Sequence, residues 1–323
     1  FYLAYNGWGY WSLILSTVGA QIVELMLLFC VARYWPTRPA NIKTIWPLYK
    51  YGLNILGARL VSYLNGAWPV IFTSNYLGKT PTGHFQMAST LASLPMSKIG
   101  EIFFKIAFPA FSHIQDDRLQ AKRVFLAMHK YLFMIIAPMF VGIALTAPEF
   151  VPLLIGEKWL PVVMPLQIIC MANILAGSAL IIPRVFEGLG EASASLKYQV
   201  VVAIITPAAM LFGVQWGLKG LLIAWALSTP LSYFFLLRKL CALIDLGLSE
   251  FFASVAITCA SVLFMWLAVA SIELFLHEVK SLALVLIVKA SFGVIAYCLA
   301  YFALGREDLS RLGRVVRSRG EEF

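Results

Sequence analysis

Three charged side chains, Lys98, Glu101 and Lys105, stand within the apolar, helix-length stretch 82–112. Their spacings of three and four residues put them on one face of a helix. Ionisable side chains inside a membrane-spanning segment are costly, and those that occur usually serve a function. Two ammonium groups and one carboxylate leave a net positive charge at this depth. The pattern therefore predicts a site that attracts an anionic ligand.

A polar stripe runs along the same predicted helix. Its members recur at steps of three or four residues and are Gln86, Thr90, Ser93, Ser97 and Glu101. Lipid cannot hydrogen-bond to such a stripe, so the stripe must face protein or water. We expect it to line a water-filled cavity. The alternative is a self-satisfied lattice in which Glu101 pairs with the lysines on either side of it.

The two preceding apolar stretches carry further polar residues near mid-membrane, namely Gln21 and Glu24 in the first and Arg59 and Asn65 in the second. The guanidinium group of Arg59 keeps its proton and needs a carboxylate, a phosphate or water as partner. Its bidentate donors suit phosphate, whereas an ion pair with Glu24 or Glu101 is the structural alternative. For Glu24 we favour the ion pair over binding of a proton or sodium ion.

Three other charged residues near the ends of apolar stretches are assigned structural roles. Lys289 is expected to extend its ammonium group to the membrane surface. Arg184 and Glu187 are expected to pair with each other at the membrane interface. None of the three is included in the predicted ligand site.

Composition places these residues in a membrane protein. Of the 323 residues, 61% are hydrophobic and 13% are charged, against about 45–50% and about 25% in soluble domains. The net charge of +9 lies in short loops between apolar runs, which argues against nucleic acid as a partner. The five cysteines are scattered, and we find no metal-ligand spacing, nucleotide-binding loop or catalytic motif. The sequence therefore predicts an all-α polytopic membrane bundle without a cofactor.

We predict nine membrane spans, each with about 20 or more apolar residues. They cover residues 9–33, 48–77, 84–111, 125–147, 164–186, 198–214, 220–237, 252–272 and 282–304. Of the 25 Lys and Arg residues, 17 lie in alternate loops and the C-terminal tail, and 4 lie in the intervening loops. The positive-inside rule then places the tail in the cytoplasm and residue 1 outside. Because the chain begins with Phe1, we expect a fragment of a longer protein.

Several motifs resemble one family of transporters. Residues 91–100 (LASLPMSKIG), 107–112 (AFPAFS) and 115–117 (QDD) are similar to the Wzx-type polysaccharide flippases of the multidrug/oligosaccharidyl-lipid/polysaccharide exporter superfamily. Residues 147–152 (APEFVP) and 156–161 (GEKWLP) look like the outside loop of that family. The resemblance covers nearly the whole chain.

The resemblance implies a fold of about fourteen helices in two bundles, with a central cavity and alternating access. The nine spans would then follow five that this chain lacks. The implied segments are the last helix of the N-terminal bundle (1–34), an inter-bundle linker (35–46), the C-terminal six-helix bundle (47–240), two peripheral helices (241–305) and a basic cytoplasmic tail (306–323).

The resemblance further implies a flippase, not an enzyme, in the bacterial inner membrane. Its cargo would be a polyprenyl-diphosphate-linked oligosaccharide, which crosses to the outer leaflet for lipopolysaccharide, capsule or exopolysaccharide synthesis. Membrane lipid would surround it, and a proton or a sodium ion is left open as the coupling ion. Arg59, Lys98 and Lys105 would meet the diphosphate or acidic sugars. The sugar path would be lined by Gln86, Ser93, Ser97 and Asn65.

Three other functions stay open at this point. A drug or cation antiporter of the same superfamily predicts a cavity dominated by carboxylates, whereas the deep charges here show a slight cationic excess. A membrane glycan polymerase or glycosyltransferase predicts a large outside loop or paired acidic residues, whereas the predicted outside loops are short. The third alternative is a partner subunit that does not itself transport.

Overall fold

The computed structural model describes residues 5, 7–8, 10–32, 42–115, 117–276, 279 and 281–306. Within these residues all regular structure is helical and no strand occurs, so the all-α prediction is confirmed for this part of the chain. The α-helices found there are α1 Tyr10–Ala32, α2 Ile42–Phe72, α3 Lys79–Ser112, α4 Arg118–Leu154, α5 Val163–Ser178, α6 Ile182–Gly188, α7 Ala192–Gly213, α8 Gly217–Leu243, α9 Leu248–Leu276 and α10 Leu282–Leu304. Shorter turns between them are the π-helical Thr73–Leu77 and the 3-10 helical Glu157–Val162, Ala179–Ile181 and Val214–Trp216.

Seven helical stretches among the described residues are long and apolar enough to cross a membrane. They are Ile14–Val31, Leu48–Leu77, Arg118–Leu154, Glu157–Gly188, Ala192–Leu243, Leu248–Leu276 and Leu282–Leu304. Helix α3 is not among them because its charged and hydroxyl side chains lower its apolar content. Helices α7 and α8 fall within one continuous apolar stretch. The chain is therefore a multi-pass helical membrane protein, whereas the count of nine spans stays a prediction.

The chain divides into two compact units between Lys50 and Tyr51. The first unit holds α1 and the start of α2, and most side chains of α1 are exposed. The second unit holds the rest of α2 and the later helices. Of the predicted linker 35–46, residues 42–46 belong to α2 and the others lie outside the described residues, as does the predicted tail after Arg306. The division into a six-helix bundle and two peripheral helices stays a prediction.

The core of the second unit forms around α4, which contacts α5, α9 and α10. Its buried apolar positions recur every three or four residues, as one face of a helix requires, and they include Phe125, Leu132, Ile136 and Phe140. Three pairs of consecutive helices also pack side by side, namely α4 with α5, α7 with α8 and α9 with α10. Lipid is as apolar as these side chains, so close packing rather than exclusion of water holds the helices together.

Both ends of α4 are defined by local signals. The side chain of Asp117 accepts a hydrogen bond from the backbone N–H of Gln120, 2.9 Å away, and so caps the first turn. The helix then continues to Leu154, so residues 147–152 are helical, and their position outside the membrane stays a prediction. Proline is tolerated within a membrane helix because neighbouring groups satisfy the backbone that it frees. The chain leaves the helix only at Gly156, with φ of 106°.

Helices α7 and α8 form a tight hairpin around two glycines. A Cβ atom on Gly213 would lie 2.5 Å from the carbonyl oxygen of Gly220, and one on Gly220 would lie 2.5 Å from that of Gly213. Non-bonded heavy atoms normally stay about 3.5–4.0 Å apart. Only glycine therefore allows the two backbones to approach this closely. The hairpin fixes the position of α7, and Gln199 of α7 contacts α2.

Lys289 of α10 pairs with carboxylates of two neighbouring helices. Its Nζ is 2.7 Å from the Oε1 of Glu149 on α4 and 2.9 Å from the Oε1 of Glu273 on α9. The residue is 2% exposed, so the prediction that it extends to the membrane surface is wrong. The two carboxylates satisfy the ammonium group where it stands, and it has no need to reach water.

Candidate functional site

The predicted polar stripe of α3 lies on an exposed face of the second unit. The buried residues of this helix are Phe85, Ala88, Ala92, Gly100, Ala107 and Phe111. The predicted stripe and its charges are all exposed, at Gln86, Thr90, Ser93, Ser97, Lys98, Glu101 and Lys105. Helix α3 is therefore amphipathic, with an apolar face in the core and a polar face that the second unit does not cover.

The hydroxyl groups of the stripe hydrogen-bond to the backbone of their own helix. The Thr90 Oγ1 donates to the carbonyl oxygen of Gln86 at 2.8 Å, and the Ser93 Oγ donates to that of Thr90 at 2.8 Å. The Ser97 Oγ donates to the carbonyl oxygen of Leu94 at 2.9 Å. A hydroxyl that donates in this way keeps two lone pairs that accept hydrogen bonds. The stripe thus offers acceptors on its outer side.

The three charged side chains of α3 are not equivalent. The Lys105 Nζ lies 2.9 Å from the Glu101 Oε1 and donates a hydrogen bond to it, as expected for residues one helical turn apart. Lys98 has no ion-pair partner within the part of the chain that the structure describes. Among these residues, Glu101 is therefore hydrogen-bonded to Lys105 only, while the positive charge of Lys98 also acts on the Glu101 carboxylate. The alternative ion pair between Arg59 and Glu101 does not form.

Arg59 lines a cleft of about 260 Å³ to which helices α2, α3, α5, α6 and α7 contribute. The polar and charged residues of its wall are Arg59, Ser62, Arg184, Glu187, Ser195, Tyr198 and Gln199. Two guanidinium groups and one carboxylate give this wall one net positive charge. The cleft is therefore a second place, besides the α3 stripe, where an anionic group is favoured.

The short helix α6 holds a charged pair at this cleft. The Arg184 Nη1 donates to the Glu187 Oε2 at 2.5 Å, and the guanidinium group stacks over the ring of Phe104, with 5.0 Å between Cζ and the ring centroid. The hydroxyl of Tyr51 donates to the backbone carbonyl oxygen of Glu187 at 2.6 Å. The predicted pairing of Arg184 with Glu187 is confirmed. The pair lies in the same cleft as Arg59, whereas the sequence analysis assigned it only a structural role at the membrane interface.

Asn65 joins α2 to α7. Its Nδ2 donates to both the backbone carbonyl oxygen and the side-chain Oε1 of Gln199, each at 3.1 Å. Its Oδ1 is buried and has no hydrogen-bond partner among the described residues. Asn65 therefore makes a helix–helix contact next to a residue that lines the cleft, and its predicted role in a sugar path stays a prediction.

The remaining predicted site residues, Gln21 and Glu24, lie on α1 in the first unit, and their side chains are exposed. The predicted ion pair between Glu24 and Arg59 joins residues of the two units and stays a prediction.

Six of the seven polar and charged residues of the cleft are absent from the predicted site, namely Ser62, Arg184, Glu187, Ser195, Tyr198 and Gln199. Arg184 and Glu187 give a signal in the sequence, because a charged pair three residues apart stands out near the end of an apolar stretch. Tyr198 and Gln199 give no such signal, because uncharged polar residues are frequent near the ends of apolar stretches. Their participation becomes visible only once α7 is placed against α2.

These features define a multi-pass helical membrane protein with a polar and cationic face turned away from its core. Among the described residues, no group of three or more His, Cys, Asp or Glu side chains is placed to hold a metal ion. A family described as "Polysaccharide biosynthesis protein" matches residues 1–164, and the chain belongs to this family. The resemblance noted for residues 91–117, which lie within the matched region, is thereby confirmed.

Relatives in three bacteria agree with this family. An "Uncharacterized membrane protein in cps region" of Klebsiella pneumoniae is 30% identical over 184 residues, which are 55% of this chain and 38% of the relative. The "Lipopolysaccharide biosynthesis protein WzxC" of Escherichia coli K12 is 24% identical over 240 residues, 71% of this chain and 49% of the relative. The "Succinoglycan biosynthesis transport protein ExoT" of Rhizobium meliloti is 24% identical over 212 residues, 65% of this chain and 43% of the relative. The chain thus spans about half, or less, of the length of these relatives.

Proposed function

We propose that this chain is part of a flippase that moves a polyprenyl-diphosphate-linked oligosaccharide from the inner to the outer leaflet of the bacterial inner membrane. Its family supports this function, as do relatives named for lipopolysaccharide biosynthesis and for succinoglycan transport. The observation that carries the proposal is the exposed polar face of α3, on which Lys98 forms no ion pair with any of the described residues. A charge of this kind in a membrane protein needs an anionic partner or water.

The diphosphate would bind to the cations of α3 and of the cleft. Opposite unit charges 4 Å apart attract each other by about 4 kcal/mol at an effective dielectric constant of about 20. Lys98 would attract the diphosphate more strongly than Lys105 would, because the charge of Lys105 is already paired with Glu101. Arg59 adds a guanidinium group, whose fork of donors matches two phosphate oxygens at once.

The sugars of the cargo would contact the hydroxyl stripe. Sugar hydroxyl groups need acceptors inside the membrane, and the oxygens of Ser93 and Ser97 keep lone pairs free after donating to their own helix. The amide of Gln86 adds both a donor and an acceptor on the same exposed face. A face of this kind accepts many sugar stereochemistries, because each contact is a single hydrogen bond.

The wider architecture is part of the same proposal. In a transporter of about fourteen helices, a second bundle would face the exposed stripe of α3, and Gln21 and Glu24 of α1 would belong to it. The alternation of loop charges supports a cytoplasmic C-terminus. The cargo would cross by alternating access, with a proton or a sodium ion as the coupling ion, and the protein would not act as an enzyme.

The charge of the exposed residues favours this function over a drug or cation antiporter. A cavity for cations needs uncompensated carboxylates, whereas the carboxylates of Glu101 and Glu187 are paired with Lys105 and Arg184. On α3 and in the cleft, the charged groups without an ion pair among the described residues are Lys98 and Arg59, and these suit an anionic cargo.

Complementation tests the proposal. A bacterial strain that lacks its own flippase receives the full-length gene, either unchanged or with Lys98→Ala or Arg59→Ala, and its surface glycan is quantified. We expect the unchanged gene to restore the glycan and both variants to lose it while the protein stays in the membrane. Lys219→Ala, at an exposed lysine of α8 outside the cleft, is the matched control and should restore the glycan fully. Normal glycan display with both Lys98→Ala and Arg59→Ala would contradict the assignment.

A further inference from the structure

An apolar groove of about 550 Å³ runs along the hairpin of α7 and α8. Small residues at the line where the two helices meet leave it open, and they include Ala209, Gly213 and Gly220. Large apolar side chains stand on either side of this line, and the most exposed of them are Phe212, Trp216 and Leu227. The close approach of the two helices thus produces a trough with a small-residue floor and bulky apolar walls.

The length of the groove matches one leaflet of a bilayer. Its α8 residues follow one face of the helix from Lys219 to Leu231, which corresponds to about 18 Å at 1.5 Å per residue. The hydrocarbon core of a bilayer is about 30 Å thick, so one leaflet contributes about 15 Å. An acyl chain that lies along the two helices would therefore fill the groove from end to end.

One charged residue stands in the groove wall, at the end nearest the turn between the helices. Lys219 is exposed and forms no ion pair with any residue that the structure describes. Ser228 also lines the groove, but its hydroxyl donates to the carbonyl oxygen of Trp225 at 2.7 Å. Trp216 lies at the same end as Lys219, and tryptophan is enriched where a membrane meets water. The groove is thus apolar along its length and positively charged at its mouth.

We propose that this groove binds one anionic phospholipid, with an acyl chain in the trough and the phosphate group at the ammonium group of Lys219. A lipid whose headgroup carries only the phosphate charge, such as phosphatidylglycerol, complements a single unpaired lysine. A zwitterionic lipid fits less well, because its own cation would lie close to Lys219. The loop charges predict that this turn lies outside, which would place the lipid in the outer leaflet.

The groove is separate from the proposed export site. Among the described residues, it shares none with the cleft at Arg59, and its wall belongs to α7, α8 and the turn between them. Its single lysine suits the one charge of a phosphodiester better than the higher charge of a diphosphate. The proposed occupant is therefore a lipid of the surrounding bilayer and not the cargo.

Quenching of tryptophan fluorescence tests the site, because Trp216 stands in the groove wall. The full-length protein is placed in phosphatidylcholine nanodiscs that contain increasing amounts of brominated phosphatidylglycerol or brominated phosphatidylcholine. A brominated acyl chain quenches a tryptophan that it touches, and the signal of Trp216 is the difference between the unchanged protein and Trp216→Phe. A lysine near a membrane surface attracts an anionic lipid by about 1 kcal/mol, and about 1.4 kcal/mol corresponds to tenfold. We therefore expect half-maximal quenching of Trp216 at an about fivefold lower content of phosphatidylglycerol than of phosphatidylcholine.

Two variants separate the headgroup from the acyl chain. Lys219→Met should abolish the preference for phosphatidylglycerol, whereas the matched control Lys239→Met, at an exposed lysine near the other end of α8, should retain it. Ala209→Phe fills the floor of the groove and should weaken quenching of Trp216 by both lipids.

Equal quenching by the two lipids in the unchanged protein would overturn the proposal, and so would a preference that survives Lys219→Met. Unaltered quenching in Ala209→Phe would show that no acyl chain lies in the trough. Failure of both lipids to quench Trp216 would show that protein covers the groove in the full-length molecule, which also overturns the proposal. None of these results bears on the flippase assignment, because no glycan is measured.

Discussion

Glu101 and Lys105 form a hydrogen-bonded ion pair one helical turn apart on the exposed face of α3, with 2.9 Å between the Oε1 and the Nζ. Lys98 stands on the other side of the same carboxylate and is not bonded to it within the described residues. Of the two exposed lysines, Lys105 is therefore bonded to the carboxylate and Lys98 is not. This difference makes their substitution informative.

Replacement of Lys98 is expected to harm glycan export more than replacement of Lys105. A hydrogen bond to a charged group contributes about 1.5–3 kcal/mol, and about 1.4 kcal/mol corresponds to tenfold. Lys98→Met should therefore lower the export rate about tenfold or more, with Lys98→Arg close to normal. Lys105→Met should have a smaller effect. Export is followed as surface glycan over time in the complemented strain, at equal amounts of membrane protein. Equal losses with Lys98→Met and Lys105→Met would contradict the distinction.

Removal of the Arg184 side chain is expected to destabilise the protein because it leaves Glu187, which is 7% exposed, without its partner. Loss of one member of a buried ion pair costs about 3–5 kcal/mol, so Arg184→Ala should lower the unfolding temperature in detergent clearly. Arg184→Ala combined with Glu187→Gln should recover much of this loss, because no buried charge is then left unpaired. A double variant no more stable than Arg184→Ala would show that the pair is not the cause.

Gly213→Ala is expected to open the hairpin of α7 and α8. The added Cβ would lie 2.5 Å from the Gly220 carbonyl oxygen, and overpacking of this kind costs about 1–3 kcal/mol. Gly66→Ala is the control, since a Cβ there meets nothing within 4 Å, and alanine favours a helix by about 1 kcal/mol over glycine. Thermal unfolding of the two variants in the same detergent should therefore shift in opposite directions. A Gly213→Ala protein as stable as the unchanged one would refute the close approach of the two helices.

Asn65 and Gln199 are expected to be energetically coupled across α2 and α7, because the amide of Asn65 bonds to the Gln199 side chain as well as to its backbone. Hydrogen bonds between membrane helices give coupling energies that average about 0.6 kcal/mol and reach about 1.7 kcal/mol. A double-mutant cycle with Asn65→Ala and Gln199→Ala, measured by unfolding in detergent, should return a value in this range. Strict additivity of the two substitutions would mean that the side-chain bond contributes nothing.

Much of α3 could be predicted from the sequence because its information is local. The charges of Lys98 and Glu101 and the three- and four-residue spacing of the serines lie within one helix, and one period relates them all. The all-α class could also be predicted, because composition too is read from the sequence without knowledge of long-range contacts. The sequence also separates the two helices within 192–243, with predicted spans at 198–214 and 220–237, whereas the total of nine spans stays a prediction.

Contacts between distant segments could not be predicted. Lys289 and Glu149 are 140 residues apart, and nothing in either local sequence indicates that the two helices meet there. A lone lysine near the end of an apolar stretch has the same pattern whether it reaches the membrane surface or a carboxylate on another helix. The cleft at Arg59 is a similar case, since α6 and α7 bring Arg184 and Gln199 to it from more than a hundred residues away.

The length of α4 has a mechanical consequence. Its 37 residues correspond to about 55 Å at 1.5 Å per residue, whereas the hydrocarbon core of a bilayer is about 30 Å thick. Three polar contacts join α4 to α9 and α10. Near its start, Lys122 forms a salt bridge with Glu250, and in the middle the carbonyl oxygen of Met134 accepts a hydrogen bond from Tyr297. Near its end, Glu149 forms a salt bridge with Lys289. Contacts near both ends and in the middle of α4 oppose sliding of this helix against α9 and α10. We therefore expect α4, α9 and α10 to travel as one rigid body, so that any movement of the bundle takes place at hinges outside these three helices.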